Sequence, residues 1–161
     1  NNIKRIQKII EKICAVGEPI SEKYNAFPSA EVLAEQPEEF FKNLGAGYRD
    51  KCLMQTAKIL KDTNREEKQK LSTKELNDWL ISLPGVGPKV ADCILLFSDL
   101  KRFDVFPIDV WVRRVMNDLY IHNADEKKVS KTEIEKLAFD KFGTLEGIAQ
   151  QYLFYWKREN N

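Results

Sequence analysis

Hydrophobic residues recur at intervals of three and four along most of the chain, which is the spacing of amphipathic helices. Isoleucines occupy one such stripe between Ile3 and Cys14, and Gly17 is predicted to end that helix. A second stripe runs from Tyr48 through Leu60, after a glycine-containing turn at residues 44–47. The pattern therefore predicts short helices joined by tight turns.

Residues that favour a helix N-terminus stand ahead of several of these stripes. They are Ser29, Pro37, Ser72 with Glu75 as a capping box, Asp109 and Thr132. Gly143 is predicted to end the helix that Thr132 begins, and Gly147 to Trp156 is predicted to form a last helix. The polar stretch Lys61 to Lys70 is expected to be a flexible loop or a solvated helix end. Because Val105 to Ile108 is too short and proline-broken for a central strand, we expect an all-α fold of about eight to ten short helices.

Composition and charge narrow the possible chemistry. The 161 residues are 43% hydrophobic and 32% charged, and 26 basic against 25 acidic residues give a net charge of +1. Binding to a nucleic acid would therefore depend on where basic groups are placed. Three cysteines without ligand spacing and a single histidine, His122, argue against a disulfide framework, structural zinc, an iron–sulfur cluster and a histidine-dependent triad.

The sequence carries no sign of membrane insertion or secretion. No apolar run reaches the ~18 residues that would span a bilayer, and the N-terminal residues lack a signal-peptide pattern. We therefore expect a soluble, intracellular protein with no membrane partner. We also expect a monomer, although this does not follow from these two features.

The turn LPGVGPKVA at residues 83–91 is the most informative segment. Gly85 and Gly87 allow the backbone to approach another surface closely, and the helix that follows presents free N–H groups and the positive end of its dipole. Residues 78–96 are thus predicted to form two helices joined by a short turn that can hold an anion. The hydrophobic-Pro-Gly-hydrophobic-Gly-x-Lys pattern resembles the helix-hairpin-helix motif, which holds a DNA phosphate through backbone amides without reading the base sequence. On glycine spacing alone, an ordinary turn between two helices is the alternative.

Two linked motifs carry a family resemblance. LPGVGPKVADC, followed by FPIDVWVRRVM, resembles the signature of the helix-hairpin-helix DNA glycosylases, and specifically of the 8-oxoguanine DNA glycosylase family. NNIKRI, AFPSAEVLA, LGAGYRDKC and IAQQYLF resemble further segments in the family's order. The resemblance implies that residues 1–161 form the family's helical region, with two helical lobes around a cleft. The family's N-terminal β-sheet domain is expected to be absent, so the chain is either a piece of a longer protein or a reduced relative.

The resemblance also implies roles for individual residues. Lys89 is the nucleophile and Asp109 its catalytic carboxylate. The base pocket is formed by Cys93, Pro107, Gln150 and Phe154. The residues that contact DNA are Asn2, Arg5, Tyr48, Arg49, Gly85, Gly87, Val90 and Trp111. The hairpin would coordinate a monovalent or divalent cation through the backbone oxygens of Ile81, Leu83 and Val86.

The implied reaction is excision of 8-oxoguanine opposite cytosine in double-stranded DNA, followed by strand cleavage. It needs no cofactor, because the amine of Lys89 attacks the sugar and forms a Schiff base. A lysine amine is protonated at neutral pH, so we expect burial and the helix dipole to lower the pKa of Lys89. Gln150 and Phe154 lie four residues apart on one helix, where they would offer an amide and a stacking face to an extruded base.

Each of these residues also has a simpler interpretation. Asp109 is placed to cap a helix, which is compatible with catalysis; Cys93 and Phe154 suit core packing, and Gln150 suits a solvated surface. Trp111 departs from the family, since well-known eukaryotic members carry histidine there, and we expect it to stack instead. The family's β-sheet domain supplies the carbonyl that distinguishes 8-oxoguanine from guanine, so this chain alone does not imply base selectivity. A glycosylase for another lesion and a non-catalytic DNA-binding module are the alternatives.

Overall fold

The computed structural model describes residues 3–160, and this part of the chain is all-α, as predicted. Ten α-helices follow one another: α1 Ile3–Cys14, α2 Ala30–Ala34, α3 Glu38–Asn43, α4 Arg49–Lys61, α5 Arg65–Gln69, α6 Thr73–Ser82, α7 Pro88–Phe97, α8 Val110–Met116, α9 Lys131–Phe142 and α10 Glu146–Glu159. Within residues 3–160 the only β-type pairing is an isolated antiparallel bridge between Pro19 and Asn25. The chain divides into two compact units.

Unit 1 contains the chain through Glu67 together with Ser82–Gly85. In it, α2 and α3 both pack against α4. Its core consists of Ile13, Phe41, Leu44 and Ala46. The isoleucine stripe of α1 is only partly used by this core, because Ile3 is 73% exposed.

Unit 2 contains Lys68–Ile81 and the chain from Val86 onward. Helix α10 packs against both α8 and α9. The core of this unit consists of Phe106, Ile108, Val112, Met116, Val129, Ile134 and Ala138. All of the residues that we expected to carry out chemistry or to line the base pocket belong to this unit.

The structure confirms several predicted helix boundaries. Ser72 and Glu75 form the capping box, with the backbone N–H of Ser72 donating to Glu75 Oε2 over 2.9 Å. The hydroxyl of Ser29 accepts a hydrogen bond from the backbone N–H of Val32. Gly143 ends α9 with a φ of 57°, where a residue with a side chain would be strained.

Two local predictions were wrong. Thr132 does not cap α9; Ser130 does, because its hydroxyl accepts a hydrogen bond from the backbone N–H of Glu133 over 3.1 Å. The stretch Lys61 to Lys70 is not simply a loop, since α5 lies inside it and Asn64 caps its first turn. The side chain that caps α9 lies two residues before the position chosen from the apolar pattern.

Candidate active site

The predicted hairpin is present, with α6 ending at Ser82 and α7 beginning at Pro88. Within unit 1, the hydroxyl of Thr56 donates to the carbonyl of Pro84 over 3.1 Å and so attaches the turn to α4. Gly85 has a φ of +79°, and a Cβ atom there would lie 2.8 Å from Cβ of Cys52. Glycine is therefore required at this position by both the backbone conformation and the space.

The end of the turn that leads into α7 has free space around it. Gly87 is the N-cap of α7, and a Cβ atom there would have no neighbour within 4 Å. Val90, in the first turn of α7, is 44% exposed. The free backbone N–H groups of this first turn are available to an incoming anion.

The two residues expected to be catalytic lie together in unit 2. Lys89 Nζ is 3.9 Å from Asp109 Oδ2. Asp109 is also the N-cap of α8, because its Oδ1 accepts a hydrogen bond from the backbone N–H of Val112 over 2.9 Å. The cap fixes one oxygen and leaves the other facing the lysine, so the structural and the chemical roles of Asp109 are compatible.

The expected burial of Lys89 was wrong for the chain without DNA. Its side chain is 52% exposed, and that of Asp109 is 31% exposed. Lys89 is the second residue of α7, where the helix end reaches solvent and other protein groups cover the long side chain only in part. Residues 3–160 therefore do not exclude water from this amine.

Cys93 lies one turn after Lys89 on α7 and is partly buried. Burial raises the pKa of its thiol; Lys89 acts in the opposite direction, and the carboxylates of Asp92 and Asp109 raise the pKa further. The group therefore stays a neutral thiol, which suits packing against an aromatic base better than nucleophilic attack.

Gln150 is buried and not solvated, at 5% exposure. Its Nε2 donates to the carbonyl of Pro107 over 3.1 Å, and its Oε1 accepts from Gln151 Nε2. Pro107 is fully buried. Two residues expected in the base pocket are thus in direct contact, and both ends of the glutamine amide have partners before any base arrives.

Phe154 lies one turn further along α10 and is 37% exposed, which argues against simple core packing. Together with Trp111 it lines an open pocket of about 180 Å³, whose other walls are Lys157 and Arg158. Lys157 is also paired with Asp118 at 3.0 Å. The two aromatic rings offer stacking faces, and the two cations are suited to a neighbouring phosphate.

Lys157 and Arg158 were not among the predicted site residues. The signal was present, since both occupy the last turn of α10, at three and four residues after Phe154. Glu146 and Asp92 were also missed; both are buried acidic residues of unit 2. Nothing in the local pattern distinguishes them from ordinary exposed helix carboxylates.

Three of the residues expected to contact DNA, namely Arg5, Tyr48 and Arg49, lie in unit 1. Arg5 donates to the carbonyl of Gly45 over 2.7 Å, in the turn that precedes α4. Tyr48 is 77% exposed, and the guanidinium of Arg49 lies 4.4 Å from the centre of its ring. Asn2 lies outside the described residues.

The predicted cation at the hairpin remains a prediction. Ile81 lies near the end of α6, and Leu83 and Val86 lie in the turn that follows. Within residues 3–160 no three His, Cys, Asp or Glu side chains are grouped so as to hold a metal ion. Over the same residues, every helix is too short or too polar to traverse a bilayer.

The chain is similar to known DNA repair proteins over most of its length. A probable N-glycosylase/DNA lyase of Methanothermobacter thermautotrophicus is 31% identical over 159 residues, covering 86% of this chain and 49% of the relative. An N-glycosylase/DNA lyase of Arabidopsis thaliana is 31% identical over 167 residues, covering 96% of this chain and 46% of the relative.

A solved structure is similar to this chain over its whole length. Clostridium acetobutylicum 8-oxoguanine glycosylase/lyase, in complex with double-stranded DNA containing cytosine opposite 8-oxoG, matches with a TM-score of 0.85 and 41% identity over 100% of this chain and 56% of that chain. The chain thus spans about half the length of these relatives. Residues 1–139 match the family model of the HhH-GPD superfamily base excision DNA repair proteins. That match, together with the hairpin and the adjacent Lys89 and Asp109, confirms the resemblance read from the motifs: the chain belongs to the HhH-GPD superfamily of base excision DNA repair proteins.

Proposed function

We propose that this protein removes 8-oxoguanine from double-stranded DNA and then cleaves the strand at the resulting site. The observation that carries the proposal is the 3.9 Å approach of Lys89 Nζ to Asp109 Oδ2 in the unit that also holds Gln150 and Phe154. A lysine amine, a carboxylate, an amide and a stacking face are the groups that this reaction needs. The similarity to glycosylase/lyases supports the same substrate class.

The hairpin and unit 1 would hold the damaged duplex. The turn at Gly85 and Gly87 and the first turn of α7 would bind a backbone phosphate through main-chain N–H groups, which gives affinity without sequence reading. Tyr48 would occupy the gap left in the base stack, while Arg5 and Arg49 contact the unpaired cytosine. An enzyme must extrude the target nucleotide because the reacting carbon is inaccessible inside the duplex.

The base would be recognised in unit 2. Phe154 supplies a stacking face, and the neutral thiol of Cys93 is suited to the opposite side of the base. Gln150 would exchange its hydrogen bond with Gln151 for bonds to the edge of the base, while Pro107 keeps the side chain in place. Trp111, Lys157 and Arg158 extend this pocket toward the sugar–phosphate backbone.

The chemistry would follow from Lys89. Its unprotonated amine forms a bond to the anomeric carbon of the deoxyribose, and the bond from that carbon to the base breaks with its electron pair going to the base, which takes up a proton. Opening of the sugar ring yields a Schiff base. Loss of a proton from the adjacent carbon then breaks the bond to the 3′ oxygen and expels the 3′ phosphate, and water releases the lysine. Asp109 would stabilise the positive charge that develops on the sugar.

Borohydride trapping tests this proposal, because it reduces the Schiff base to a permanent link. The protein is incubated with an 8-oxoguanine:cytosine duplex and borohydride, and the adduct is measured on a denaturing gel. We expect an adduct for the natural sequence and for Lys136→Gln, an exposed lysine on α9, and none for Lys89→Gln. An absent adduct, or one that is unchanged in Lys89→Gln, refutes the mechanism.

The exposure of Lys89 favours a second candidate, a DNA-binding module without catalysis. A half-exposed lysine at a helix start is also what a phosphate contact requires. This candidate predicts salt-dependent duplex binding without base release at any pH. Release of free 8-oxoguanine, measured by chromatography, separates the two functions, and a panel of duplexes with other lesions tests the choice of base.

A further inference from the structure

Glu146, the first residue of α10, is a buried carboxylate. It is 8% exposed, and its Oε2 has no hydrogen-bond partner among the described residues. An ionised carboxylate in such a place loses hydration without receiving a donor in exchange, which is costly. The neutral carboxylic acid loses much less.

The groups that face Glu146 are acidic and come from three different elements. They are Asp104 on the segment before α8, Glu135 on α9 and Asp92 on α7. Lys131 on α9 supplies positive charge, but its Nζ is 3.0 Å from Glu135 and 3.9 Å from Asp92. The charge of Lys131 is therefore paired with two of these acids and not with Glu146.

Polar groups beside these acids hydrogen-bond to other partners. Asn77 donates to Asp92 over 2.8 Å, and Thr73 donates to Asp104 over 3.0 Å. One terminal nitrogen of Arg102 donates to two backbone carbonyls near the start of α6, at 2.9 and 3.0 Å, while its Nε is buried without a partner. None of these groups donates a hydrogen bond to Oε2 of Glu146.

These surroundings raise the pKa of Glu146 from its ordinary value of 4.5 to about 7, with burial as the main cause and repulsion from Asp104, Glu135 and Asp92 adding to it. The carboxyl is thus protonated in mildly acidic solution and ionised in mildly alkaline solution.

The position of Glu146 connects it to the base pocket. Gln150 and Phe154 follow at spacings of four and eight, so the three residues share one face of α10. Next to Glu146, the backbone N–H of Gly147 donates to the carbonyl of Phe103 over 2.9 Å, and a Cβ atom on Gly147 would lie 2.7 Å from a side-chain carbon of Leu96. The start of α10 is therefore pressed closely against its neighbours.

The same segment leads directly to the catalytic carboxylate. It continues from Phe103 through Pro107, which accepts the hydrogen bond of Gln150, to Asp109. A change in how α10 packs on residues 103–107 would therefore move both the amide of Gln150 and the carboxylate of Asp109.

We propose that Glu146 is a positioning residue: its protonated side chain lets α10 pack on residues 103–107 and holds Gln150 and Phe154 in the base pocket, and its ionisation loosens this packing. The catalytic consequence rests on the proposed function, whereas the effect on packing does not. Ionisation separates the start of α10 from the acidic groups around it, because Oε2 of Glu146 receives no hydrogen bond that would stabilise the new charge.

Hydrogen exchange without DNA tests the packing. Amide exchange over residues 146–156 is measured at pH 6 and pH 8, one unit on either side of the pKa of about 7, and is corrected for the intrinsic pH dependence of exchange. We expect lower protection at pH 8 in the natural sequence and equal protection in Glu146→Gln, which mimics the protonated acid. Glu133→Gln on α9, an exposed residue, is the matched control and should behave like the natural sequence. Equal protection of the natural protein at both pH values overturns the proposal.

The sign of the stability effect is defined by the same pKa. The carboxyl is ionised more readily in the unfolded chain than in the folded one. The contribution of Glu146 to the free energy of unfolding is therefore fully present below pH 4.5 and is lost as the pH rises through about 7. The unfolding equilibrium constant of the natural sequence relative to Glu146→Gln should rise by about two orders of magnitude over that range. A ratio that stays constant with pH contradicts the inference.

Excision rates measure the catalytic consequence under single-turnover conditions. The ratio of the Glu146→Gln rate to the natural rate cancels any pH dependence from Lys89. We expect a ratio near one at pH 6 and about tenfold at pH 8, as a single ionisation requires. A flat ratio, with excision present, refutes the role of Glu146 in catalysis. An absence of excision in every variant refutes the proposed function instead, and the exchange and unfolding experiments then decide on Glu146.

Discussion

Two parts of the candidate site in unit 2 differ in how completely the fold builds them. At the base pocket, Gln150 is 5% exposed and both ends of its amide have partners. At the reacting centre, Lys89 is 52% exposed and 3.9 Å from Asp109. Under the proposed function, the recognition side is formed before DNA binds, whereas the nucleophile lies near its carboxylate and is exposed to water.

This difference follows from what each group must do. A hydrogen-bonding amide distinguishes bases best when it is rigid, so its position benefits from burial in the core. A nucleophilic amine must be reached by a sugar that has left the duplex, so its surroundings are completed by the substrate itself. The following substitutions test this division, in order of decreasing expected effect.

The largest effect is expected for Asp109→Asn, which keeps the helix cap and removes the charge. Excision should fall by about 100-fold or more, because the positive sugar loses its electrostatic stabilisation, while the unfolding midpoint should stay the same, since asparagine is also a good N-cap. Single-turnover excision and urea unfolding measure the two quantities. Asp140→Asn, an exposed aspartate on α9, is the control. A loss of stability that equals the loss of activity would reduce Asp109 to a structural role.

The next effect is expected at the aromatic pocket. Replacing Phe154 by alanine should weaken binding to an extruded base by about 1–3 kcal/mol, and Trp111→Ala should act in the same direction. The dissociation constants of lesion-containing and undamaged duplexes are compared in a Lys89→Gln background, so that no base is released. Phe139→Ala, an exposed phenylalanine on α9, should leave the difference unchanged. If Phe154→Ala weakens both duplexes equally, the pocket does not hold the base.

Removing the buried amide is expected to affect folding as well as function. Gln150→Ala leaves the carbonyl of Pro107 without its donor, so the free energy of unfolding should fall by about 1–3 kcal/mol. Chemical unfolding measures it, and Gln151→Ala, at the exposed neighbour, should cost less. An unchanged stability in Gln150→Ala would show that the recognition side is not preformed.

The smallest effect is expected for the stability of Lys89→Gln. A half-exposed side chain with one long ion pair contributes little to folding, so the free energy of unfolding should change by less than about 0.5 kcal/mol. The same variant is expected to lose all borohydride trapping. A large destabilisation would mean that Lys89 belongs to the folded framework, and the contrast with Gln150 would then disappear.

The predicted parts of this protein depend on neighbouring residues in the chain. Three- and four-residue spacing identified the helices, and the capping box at Ser72 and the cap at Asp109 formed as expected, because a capping side chain bonds to an N–H two or three residues away. The same local logic explains the error at Thr132. Two residues with hydroxyls stand close together there, and the choice of Ser130 depends on where the first turn begins.

Burial was predicted less well, because it depends on residues distant in sequence. Gln150 is hydrogen-bonded to the carbonyl of Pro107, 43 residues earlier in the chain. Nothing in the segment IAQQYLF distinguishes Gln150 from the exposed Gln151. Glu146 resembles any acidic residue in a first helical turn until α7, α9 and residues 103–104 are placed around it. For Lys89 the prediction was wrong in the opposite direction: we expected a buried side chain, and it is 52% exposed.

The sequence by itself determined the helical class and the family, because these depend on residue types at short fixed spacings, and the family resemblance implied the pairing of Lys89 with Asp109. Tertiary structure alone decided which polar groups lose water, since only packing between distant segments removes solvent from a side chain. That packing buries the amide of Gln150 and the acid of Glu146 in unit 2 and leaves the side chain of Lys89, in the same unit, half-exposed.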